Sequence, residues 1–376
     1  MLRRSRGSAR LFTVLAAGVA SVAIARNVIA RRRRLDLRGR VAVVTGGSRG
    51  LGLLMAEELG RLGARVALCG RDAEAVSRAR VHLESLGVEV HAVACDLGVR
   101  AEAEAFVDGV VDALGRIDLV FNNAGAIGVA PVEELGVEGI EEAMRSNFWS
   151  ATYVTFRALP HLKARGSAGR LVNISSIGGR IAVPHMVGYV ASKFAVAGLS
   201  EALCAELAQS GIRVTTVFPG LMRTGSIYNA TFGGDTEAEF AWFGVSASMP
   251  VISMNARRAA KQVVRAALDG ETEVKLGVSA RSASLLHGVA PGFLTRMIGI
   301  AGHFFPSAPG GNEKRGTENG GTAKGGTATS SPSGFKRGRD VRSSLPGSVA
   351  VRLSDEAARN NNEAPPAAAH GAGGSR

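Results

Sequence analysis

From about Leu37 onward the sequence alternates short runs of β-branched and other apolar residues with longer amphipathic segments. The first run, Val41–Thr45, predicts a buried strand, and residues 51–62 have the spacing of a helix. Further strands are predicted at residues 65–69, 88–94, 119–122, 170–175 and 213–218, with helical stretches between them. Such alternation indicates a parallel sheet that helices cover on both faces. We therefore predict an α/β fold, a doubly wound parallel sheet in a single domain.

The charge of the chain is concentrated at its two ends. Of the formal net charge of +13, residues 1–34 contribute +9 and residues 307–376 contribute +4. Residues 35–306 therefore carry no net charge, and they lack the mixture of basic and aromatic residues that binds single-stranded nucleic acids. We expect no nucleic-acid partner. Because 46% of the residues are hydrophobic, the chain can bury a sizeable core, which excludes a wholly disordered protein.

The cysteines and histidines show no metal-binding pattern. Cys69, Cys95 and Cys204 form no CxxC pair, and the histidines have no HExxH or similar spacing. We expect no metal site and interpret the cysteines as small buried hydrophobic side chains.

Residues 1–34 form a basic leader that contains an apolar stretch. A helix over residues 11–30, with Arg26 reaching the interface, would be about 30 Å long, the thickness of a hydrocarbon core. This stretch is a candidate membrane anchor. A signal peptide cleaved after a small-x-small pattern at residues 23–25 and a disordered leader are the alternatives. The arginines that follow the stretch favour a cytoplasmic catalytic domain, either membrane-associated or without an anchor.

Beyond Pro306 the composition changes to Gly, Ser, Thr, Asn, Pro and Ala with scattered charges. Such a segment buries too little apolar surface to offset the entropy lost on ordering. We predict that residues 307–376 are a disordered tail and that residues 35–306 are the catalytic domain.

A glycine-rich loop lies between the first predicted strand and the first predicted helix. It consists of Thr45, Gly46, Gly47, Ser48, Arg49, Gly50, Leu51 and Gly52. Glycines at this place permit a tight turn and the close approach of a pyrophosphate, which the amides of a helix N-terminus can hold. Ligands of such sheets bind beyond the carboxyl ends of the strands. We therefore expect these residues to bind a dinucleotide cofactor.

The end of the second predicted strand indicates which dinucleotide is bound. NAD enzymes of this architecture usually place an acid there for the ribose 2′-hydroxyl. Here the strand ends in Cys69-Gly70-Arg71, and Asp72 follows two residues late. Arg49 and Arg71 together could face a 2′-phosphate, so we expect NADP(H), with NAD less favoured.

A second group of polar residues predicts acid–base chemistry. Tyr189 and Lys193 are four residues apart and share one face of a helix, and Ser176 precedes the tyrosine by thirteen residues. A neighbouring ammonium favours the phenolate, which would lower the pKa of Tyr189 toward neutral pH. The Ser176 hydroxyl could hold a substrate oxygen.

Taken together, these motifs resemble the short-chain dehydrogenase/reductase family, in order through residues 35–250. Besides the glycine loop and the Ser176, Tyr189 and Lys193 set, the matching residues are Asp96, Leu97, Asn122, Asn123, Ala124, Gly125, Asn147, Asn173, Ile174, Ser175, Pro219, Gly220 and Thr224. The resemblance implies a Rossmann-type sheet and an NAD(P)-dependent oxidoreductase that acts on CH–OH groups.

The resemblance also implies a role for each matching residue. Tyr189 would be the general acid in carbonyl reduction, or the base in alcohol oxidation. Lys193 would bind the nicotinamide ribose and lower the pKa of the tyrosine, and Ser176 would polarise the substrate oxygen. The other implied contacts are Asn147 at a relay water, Asp96 at the adenine, Asn122 at the adenine ribose, Leu97, Ala124 and Gly125 beside the cofactor, and Pro219, Gly220 and Thr224 at the nicotinamide. A helix cap at Asp96 and a solvated or capping Asn147 remain alternatives; Asn123 is interpreted as a tie between strands.

Three segments bear on substrate and partners. Residues 225–250 would form the substrate loop, and an apolar substrate is favoured by Ile227, Tyr228, Phe232, Phe240, Trp242, Phe243 and Met249, although ordinary loop packing is the alternative. The apolar residues 285–305, interrupted by Pro291, could contact a membrane, form a flap over the substrate or lie at a subunit interface. The helices that carry Asn147 and Tyr189 resemble those that pair subunits in the family, which implies a homo-oligomer, with a dimer favoured.

The favoured function is interconversion of a carbonyl and a secondary alcohol, as NADPH-dependent reduction of an apolar or lipid-like substrate. The alternative is a catalytically silent NADP(H)-binding sensor or scaffold. The intact Ser176, Tyr189 and Lys193 argue against this alternative.

Overall fold

The computed structural model describes residues 34–248, 253–305, 334–344 and 358–363. The candidate anchor at residues 11–30, Met249 and most of the predicted tail lie outside these ranges.

The described residues form twelve strands, seven of which make the central sheet. In chain order the strands are β1 (Val41–Thr45), β2 (Arg65–Gly70), β3 (Val90–Ala94), β4 (Leu119–Asn122), β5 (Gly128–Val129), β6 (Arg170–Ile174), β7 (Arg213–Pro219), β8 (Met222–Arg223), β9 (Thr231–Phe232), β10 (Met254–Asn255), β11 (Glu273–Leu276) and β12 (Lys336–Arg337). The central sheet has the order β11-β7-β6-β4-β1-β2-β3, and all its neighbouring strands are parallel.

Helices cover both faces of this sheet. They are α1 (Gly50–Arg61), α2 (Ala73–Ser85), α3 (Arg100–Leu114), α4 (Val132–Ala143), α5 (Ser150–Lys163), α6 (Val187–Glu206), α7 (Ser226–Asn229), α8 (Thr236–Ser248), α9 (Ala256–Asp269), α10 (Val278–Val289), α11 (Pro291–Ala301) and α12 (Gly338–Ser344). One core cluster joins the sheet to α1, α2 and α9, and a second joins it to α3, α5 and α6. The predicted α/β class and doubly wound parallel sheet are therefore confirmed.

The strand β11 was not predicted, because its sequence gives a weak signal. Glu-Val-Lys-Leu is four residues long and carries two charges, which an edge strand tolerates since one side of it faces no neighbour. Its carbonyl and amide groups pair with β7, so it completes the sheet on the side of α10.

The predicted substrate loop is folded rather than open. Its buried apolar side chains pack with Val129 and Met186 into a third cluster beyond the carboxyl ends of the strands. These side chains are Ile227, Tyr228, Phe232, Phe240 and Phe243. Trp242 is partly buried against the same cluster. Ordinary loop packing, the alternative to a substrate contact, therefore explains the positions of most of these side chains.

Part of the predicted disordered tail is ordered against the catalytic domain, which corrects the prediction for residues 334–344 and 358–363. The strand β12 pairs antiparallel with β9, and α12 buries Val341 in the third cluster. Ala358 is buried in the same cluster. Composition predicted disorder because these apolar residues are few and isolated, and their contacts are made to a distant part of the chain.

Among the described residues, one helix is long and apolar enough by composition to cross a membrane, namely α6. It packs on the central sheet and buries Val196, Ala197 and Leu203. We interpret it as a core helix.

Candidate active site

The glycine-rich loop joins β1 to α1 and has the geometry of an anion cradle. Gly46 and Gly50 have φ of 59° and 56°, in the left-handed region that glycine enters without strain. A Cβ on Gly52 would collide with the carbonyl oxygen of Gly46. The first turn of α1 directs backbone N–H groups and the positive end of the helix dipole toward this loop.

Thr45 and Asn123 fasten the cradle to β4. Thr45 Oγ1 accepts the N–H groups of Asn123 at 2.9 Å and Ala124 at 3.0 Å. In return, Asn123 Nδ2 donates to the carbonyl of Thr45 at 3.0 Å. Asn123 is thus the structural tie that the sequence predicted. Thr45, predicted to bind cofactor, is 1% exposed and its hydroxyl shapes the loop instead.

Oxygen atoms of residues 361–363 lie where the cradle offers its donors. The Gly50 N–H donates to the carbonyl oxygen of Asn361 at 2.8 Å, and the Gly225 N–H donates to the carboxyl group of Glu363. A Cβ on Gly50 would be 2.7 Å from Glu363 Oε1. The N–H donors and the absence of a side chain at Gly50 fit a pyrophosphate-bearing cofactor, whose phosphate oxygens could take the places that these oxygens hold.

Cationic side chains flank the cradle at the end of β2. Arg49 is half-buried and its Nη1 donates to Asn229 Oδ1 at 2.9 Å. Burial lowers the pKa of Arg49, and the positive charge of Arg71 acts in the same direction. Asp72 accepts the N–H of Ala75 at 3.1 Å as the cap of α2. The structure thus brings the two predicted arginines near each other and gives Asp72 a capping role.

Asp96 lies half-buried at the end of β3, next to the buried Leu97. Its carboxylate accepts Arg145 Nη1 at 2.8 Å and the N–H of Gly98 at 2.9 Å. Burial alone would raise the pKa of Asp96, but these hydrogen bonds outweigh it and hold the pKa below its usual value. The capping alternative is not realised, because Gly98 precedes α3, whose N-cap residue is Val99 and whose N-terminus has no side-chain cap hydrogen bond. Arg145, which no sequence motif marked, fixes this carboxylate.

The side chain of Asn122 points into the core, which corrects its predicted place beside the adenine ribose. Asn122 Nδ2 donates to Thr155 Oγ1 at 2.7 Å and to Asn173 Oδ1 at 2.8 Å. Successive side chains of a strand face opposite sides of the sheet, and Asn122 is on the side of α5. It joins β4, β6 and α5, whereas Gly125 lies exposed at the carboxyl edge.

Ser176, Tyr189 and Lys193 meet at the carboxyl end of β6. A hydrogen bond joins the side chains of Ser176 and Tyr189, and Ser176 Oγ accepts the N–H of Gly178 at 3.1 Å. Lys193 Nζ is 5.8 Å from the centre of the Tyr189 ring and donates to the carbonyl of Ile174 at 3.0 Å. Ser175 donates to the carbonyl of Lys193 at 2.8 Å, a structural contact. The structure thus assembles the predicted trio.

Burial controls the ionisation of this trio. It raises the pKa of Tyr189, and the hydrogen bond with Ser176 offsets the rise only in part. It lowers the pKa of Lys193 to about 8. The predicted lowering of the tyrosine pKa by Lys193 is not observed, because the phenol is desolvated and the ammonium is bonded to Ile174. At neutral pH the tyrosine is therefore protonated and able to donate.

Asn147 occupies a π-helical turn, Met144–Trp149, between α4 and α5. It is 1% exposed; its Oδ1 accepts the N–H of Ala126 at 2.9 Å, and its Nδ2 donates to Ser192 Oγ at 3.0 Å. A Cβ on Gly125 would collide with Asn147 Oδ1 and be 3.3 Å from Lys193 Nζ. The solvated alternative is excluded, and Asn147 lies beside the lysine. A π-helical turn often marks a functional site.

The residues after β7 are those predicted to contact the nicotinamide. Pro219 ends β7, and Gly220 donates its N–H to the carbonyl of Leu276 at 3.0 Å. Thr224 is buried, and its Oγ1 accepts the N–H of Ser226 at 3.2 Å. The next residue is Gly225, the partner of Glu363. Because residues 361–363 contact both Gly50 and Gly225, they lie between the glycine loop and the predicted nicotinamide residues. We call the space between these two sides the cofactor groove.

His185 and Glu239 were not found by sequence reasoning. His185 has φ of 61°, a conformation that costs a non-glycine residue energy and often marks a functional site. Its Nδ1 is 2.6 Å from Oε1 of the fully buried Glu239. Its ring contacts Trp242 edge to face and Phe305 at a tilt. An isolated histidine four residues before Tyr189 gives no sequence signal, since its partner is 54 residues away.

A doubly wound parallel sheet, a glycine cradle at its first strand–helix junction and a Ser–Tyr–Lys trio at the same sheet edge define a dinucleotide-dependent oxidoreductase. The sequence pattern of the family described as short chain dehydrogenase matches residues 40–231. The chain belongs to this family, whose members are oxidoreductases acting on CH–OH groups.

Known proteins of the family resemble the chain over most of the catalytic domain. The oxidoreductase SadH of Mycobacterium tuberculosis is 34% identical over 278 residues, 73% of this chain and 99% of SadH. The 11-beta-hydroxysteroid dehydrogenase A of Sesamum indicum is 33% identical over 245 residues, 64% of this chain and 68% of that protein. A solved metagenomic short-chain oxidoreductase in complex with NADP is 29% identical, with a TM-score of 0.53, and covers 65% of this chain and 97% of its own.

Proposed function

We propose that the protein reduces an apolar or lipid-like ketone to the secondary alcohol with NADPH, and oxidises the alcohol in the reverse direction. The observation that carries the proposal is the Ser176–Tyr189–Lys193 trio at the same sheet edge as the glycine cradle. A silent NADP(H) sensor could use Lys193 to hold the cofactor, but it needs neither Ser176 nor Tyr189 at this place.

The side chains divide the work of such a reduction between them. The bound cofactor supplies the hydride. Ser176 holds the substrate oxygen, and the protonated Tyr189 donates to it as negative charge develops. Lys193 would bind the nicotinamide ribose, and its charge favours the phenolate that the proton transfer leaves. Asn147 holds Ala126 and Ser192 in place beside the lysine, where protons can return from solvent.

The preference for NADPH is supported by charge at the adenosine end. Arg49 and Arg71 are near one another beside the cradle, and Arg78 follows on α2. Asp72, the nearest carboxylate in sequence, is engaged as a helix cap. A 2′-phosphate would meet cations there, whereas the usual acid for an unmodified ribose is missing from the tip of β2.

An apolar substrate is supported by the walls beside Tyr189. The third cluster packs against Tyr189 and presents Ile127, Val183 and Trp242 as its partly buried members. Three polar groups on this side are bonded to one another, since Glu239 accepts the indole N–H of Trp242 and is also paired with His185. A carbonyl compound with an aliphatic or ring body would therefore gain more from burial here than a charged sugar acid would.

The direct test is NADPH oxidation with ketones of graded chain length. We expect turnover to increase with chain length, and to be faster with NADPH than with NADH. The Tyr189→Phe variant should lose at least about a hundredfold in kcat, the usual contribution of a general acid, while its NADPH affinity stays within about twofold.

Tyr153→Phe is the matched control, since this tyrosine stacks on Trp149 away from the trio. Unchanged turnover in Tyr189→Phe would remove the proposed acid. Tight NADPH binding without turnover of any carbonyl or alcohol would favour the silent sensor instead.

We also propose that the protein is a homo-oligomer, with a dimer favoured. An aromatic surface on the π-helical turn and α5 supports this proposal. Trp149 and Phe156 are 44% and 55% exposed, and Phe194 on α6 is 40% exposed. Large exposed apolar side chains grouped on two neighbouring helices are typical of a protein–protein contact.

We further propose that the helical hairpin α10–α11 lies on a lipid surface. Its exposed large side chains are Val278, Leu285, Leu286, Val289, Phe293, Met297 and Ile300. Residues 278–305 contain two arginines and no acid. An exposed apolar surface in a segment without acidic residues fits the interface of a lipid bilayer.

A further inference from the structure

The short segment 358–363 lies in the groove that a dinucleotide would fill. It touches both walls of this groove: the glycine loop through Gly50, and the end of the nicotinamide side through Gly225. We propose that the protein's own segment 358–363 is a competitive occupant of the cofactor groove, and that it must leave before a nicotinamide dinucleotide can bind. This proposal rests on the proposed function.

The contacts of the segment are directional rather than incidental. Asn362 Nδ2 donates to the carbonyl of Ser48 at 2.7 Å and to that of Ala75 at 3.0 Å. Arg78 Nε donates to Asn362 Oδ1 at 2.9 Å. One side chain therefore bridges the glycine loop and α2, on the adenosine side, and uses all its polar atoms.

The backbone of the segment is folded to fit this position. Asn362 has φ of 57°, which asparagine tolerates better than most residues. The N–H of Glu363 donates to the carbonyl of Ala358 at 2.9 Å and closes a turn. Ala358, 1% exposed, anchors the turn in the third cluster, so the segment also contacts the substrate side.

Occupancy by the segment and by a pyrophosphate exclude one another. The Gly50 N–H is already bonded to the Asn361 carbonyl, and Glu363 Oε1 lies 2.7 Å from where a Cβ on Gly50 would be. Gly50 has no side chain at the point where a phosphate must approach, and the carboxyl group of Glu363 fills that space. Burial raises the pKa of Glu363 to about 8, so at neutral pH the group is held largely protonated and needs no counter-cation.

Competition of this kind lowers the apparent affinity for the cofactor by the fraction of molecules whose groove is free. A segment docked nine-tenths of the time makes NADPH bind about tenfold more weakly than its intrinsic constant. The rise in affinity when docking is abolished therefore measures the docked fraction directly.

The test compares NADPH dissociation constants of the full-length protein and the double variant Asn362→Ala/Glu363→Ala. We expect the double variant to bind about tenfold more tightly. Asn360→Ala, at an exposed position of the same segment, is the matched control and should bind as the wild type does. Equal constants for the wild type and the double variant would overturn the competition.

Hydrogen exchange of the unaltered protein gives a second readout that does not depend on a substitution. Amides of residues 358–363 should exchange slowly in the nucleotide-free protein and quickly once NADPH is added. Fast exchange without NADPH, or protection that NADPH leaves unchanged, contradicts the proposal. If neither protein binds NADPH, the proposed function fails as well. If both proteins bind it equally well, or only the wild type binds it, the competition alone fails.

Discussion

Burial acts in opposite directions on Tyr189 and Lys193. Desolvation disfavours the charged form of each group, so the phenol becomes a weaker acid and the ammonium a stronger one. The two pKa values therefore move apart: that of Tyr189 rises above its ordinary value, whereas that of Lys193 falls to about 8. A cofactor that solvates the ammonium with ribose hydroxyls would reverse the shift on the lysine.

This lysine predicts a pH dependence of cofactor binding. If the ribose binds the ammonium form, NADPH affinity should be constant below about pH 7 and fall by up to about tenfold per pH unit above the lysine pKa of about 8. The titration is best made in the Asn362→Ala/Glu363→Ala variant, because the Glu363 carboxyl also titrates near pH 8. Lys193→Met should bind weakly at every pH, without this step. A flat profile in the lysine-containing protein would show that Lys193 does not hold the cofactor.

At the level of residues, the sequence predicted which side chains meet where their relative positions are set within one helix or at the end of one strand. Tyr189 and Lys193 are on one helix, and Ser176 is at the end of a strand, so their meeting follows from local geometry. The inward side chain of Asn122 depends on which face α5 covers, which spacing does not contain. The pairing of His185 with Glu239 joins two segments whose contact only the folded chain defines.

The π-helical turn that contains Asn147 lies between the candidate active site and the exposed aromatic surface. The π-helical turn holds Asn147 inward and leaves Trp149 outward, where it stacks on Tyr153 at 5.6 Å. One turn thus positions a residue near the lysine and contributes to the exposed aromatic surface. Assembly through this surface would fix the same turn from outside.

Phe156→Arg should therefore weaken self-association. A charge at the centre of an apolar interface costs at least about 2 kcal/mol, or about 30-fold in the dissociation constant. Sedimentation over a range of protein concentrations measures it. Val81→Arg on α2, at a similarly exposed valine, is the control. The same molar mass for wild type and Phe156→Arg at every concentration would exclude α5 from an interface.

At the level of elements, a long amphipathic run predicted α1, and short apolar runs predicted the inner strands, each within one or two residues. Pro291 was taken as an interruption of the apolar stretch, and it is the first residue of α11, where proline needs no N–H partner. The two-residue strands β5, β9 and β12 were not predictable, because pairing partners rather than their own residues define them.

On the scale of the whole molecule, the hairpin α10–α11 follows β11 at the carboxyl edge of the sheet. Arg34, the last residue of the basic leader, lies instead at the other edge, where it pairs with Asp269 at the end of α9. Arg34, where the described chain begins, is thus on a different side of the domain from the hairpin.

Exchange measurements with neutral phosphatidylcholine vesicles test the hairpin independently of the leader. Amides of residues 278–301 should become protected when vesicles are added, because the apolar face withdraws from water. Val289→Ser/Phe293→Ser should lose this protection, and Val137→Ser, at an exposed valine of α4, should not. Unchanged exchange of the hairpin in the wild type would show that it does not contact lipid.

The position of β1 has a further consequence for how the domain opens. Its residues are fully buried, with β2 on one side and β4 on the other, whereas β3 and β11 each have one neighbour. Partial unfolding should start at those two margins and reach Val41–Thr45 last. The glycine loop follows this strand directly, so it should stay intact when the marginal strands unfold briefly. The strand β11, with α10 and α11, should be able to unfold and refold without disturbing the loop.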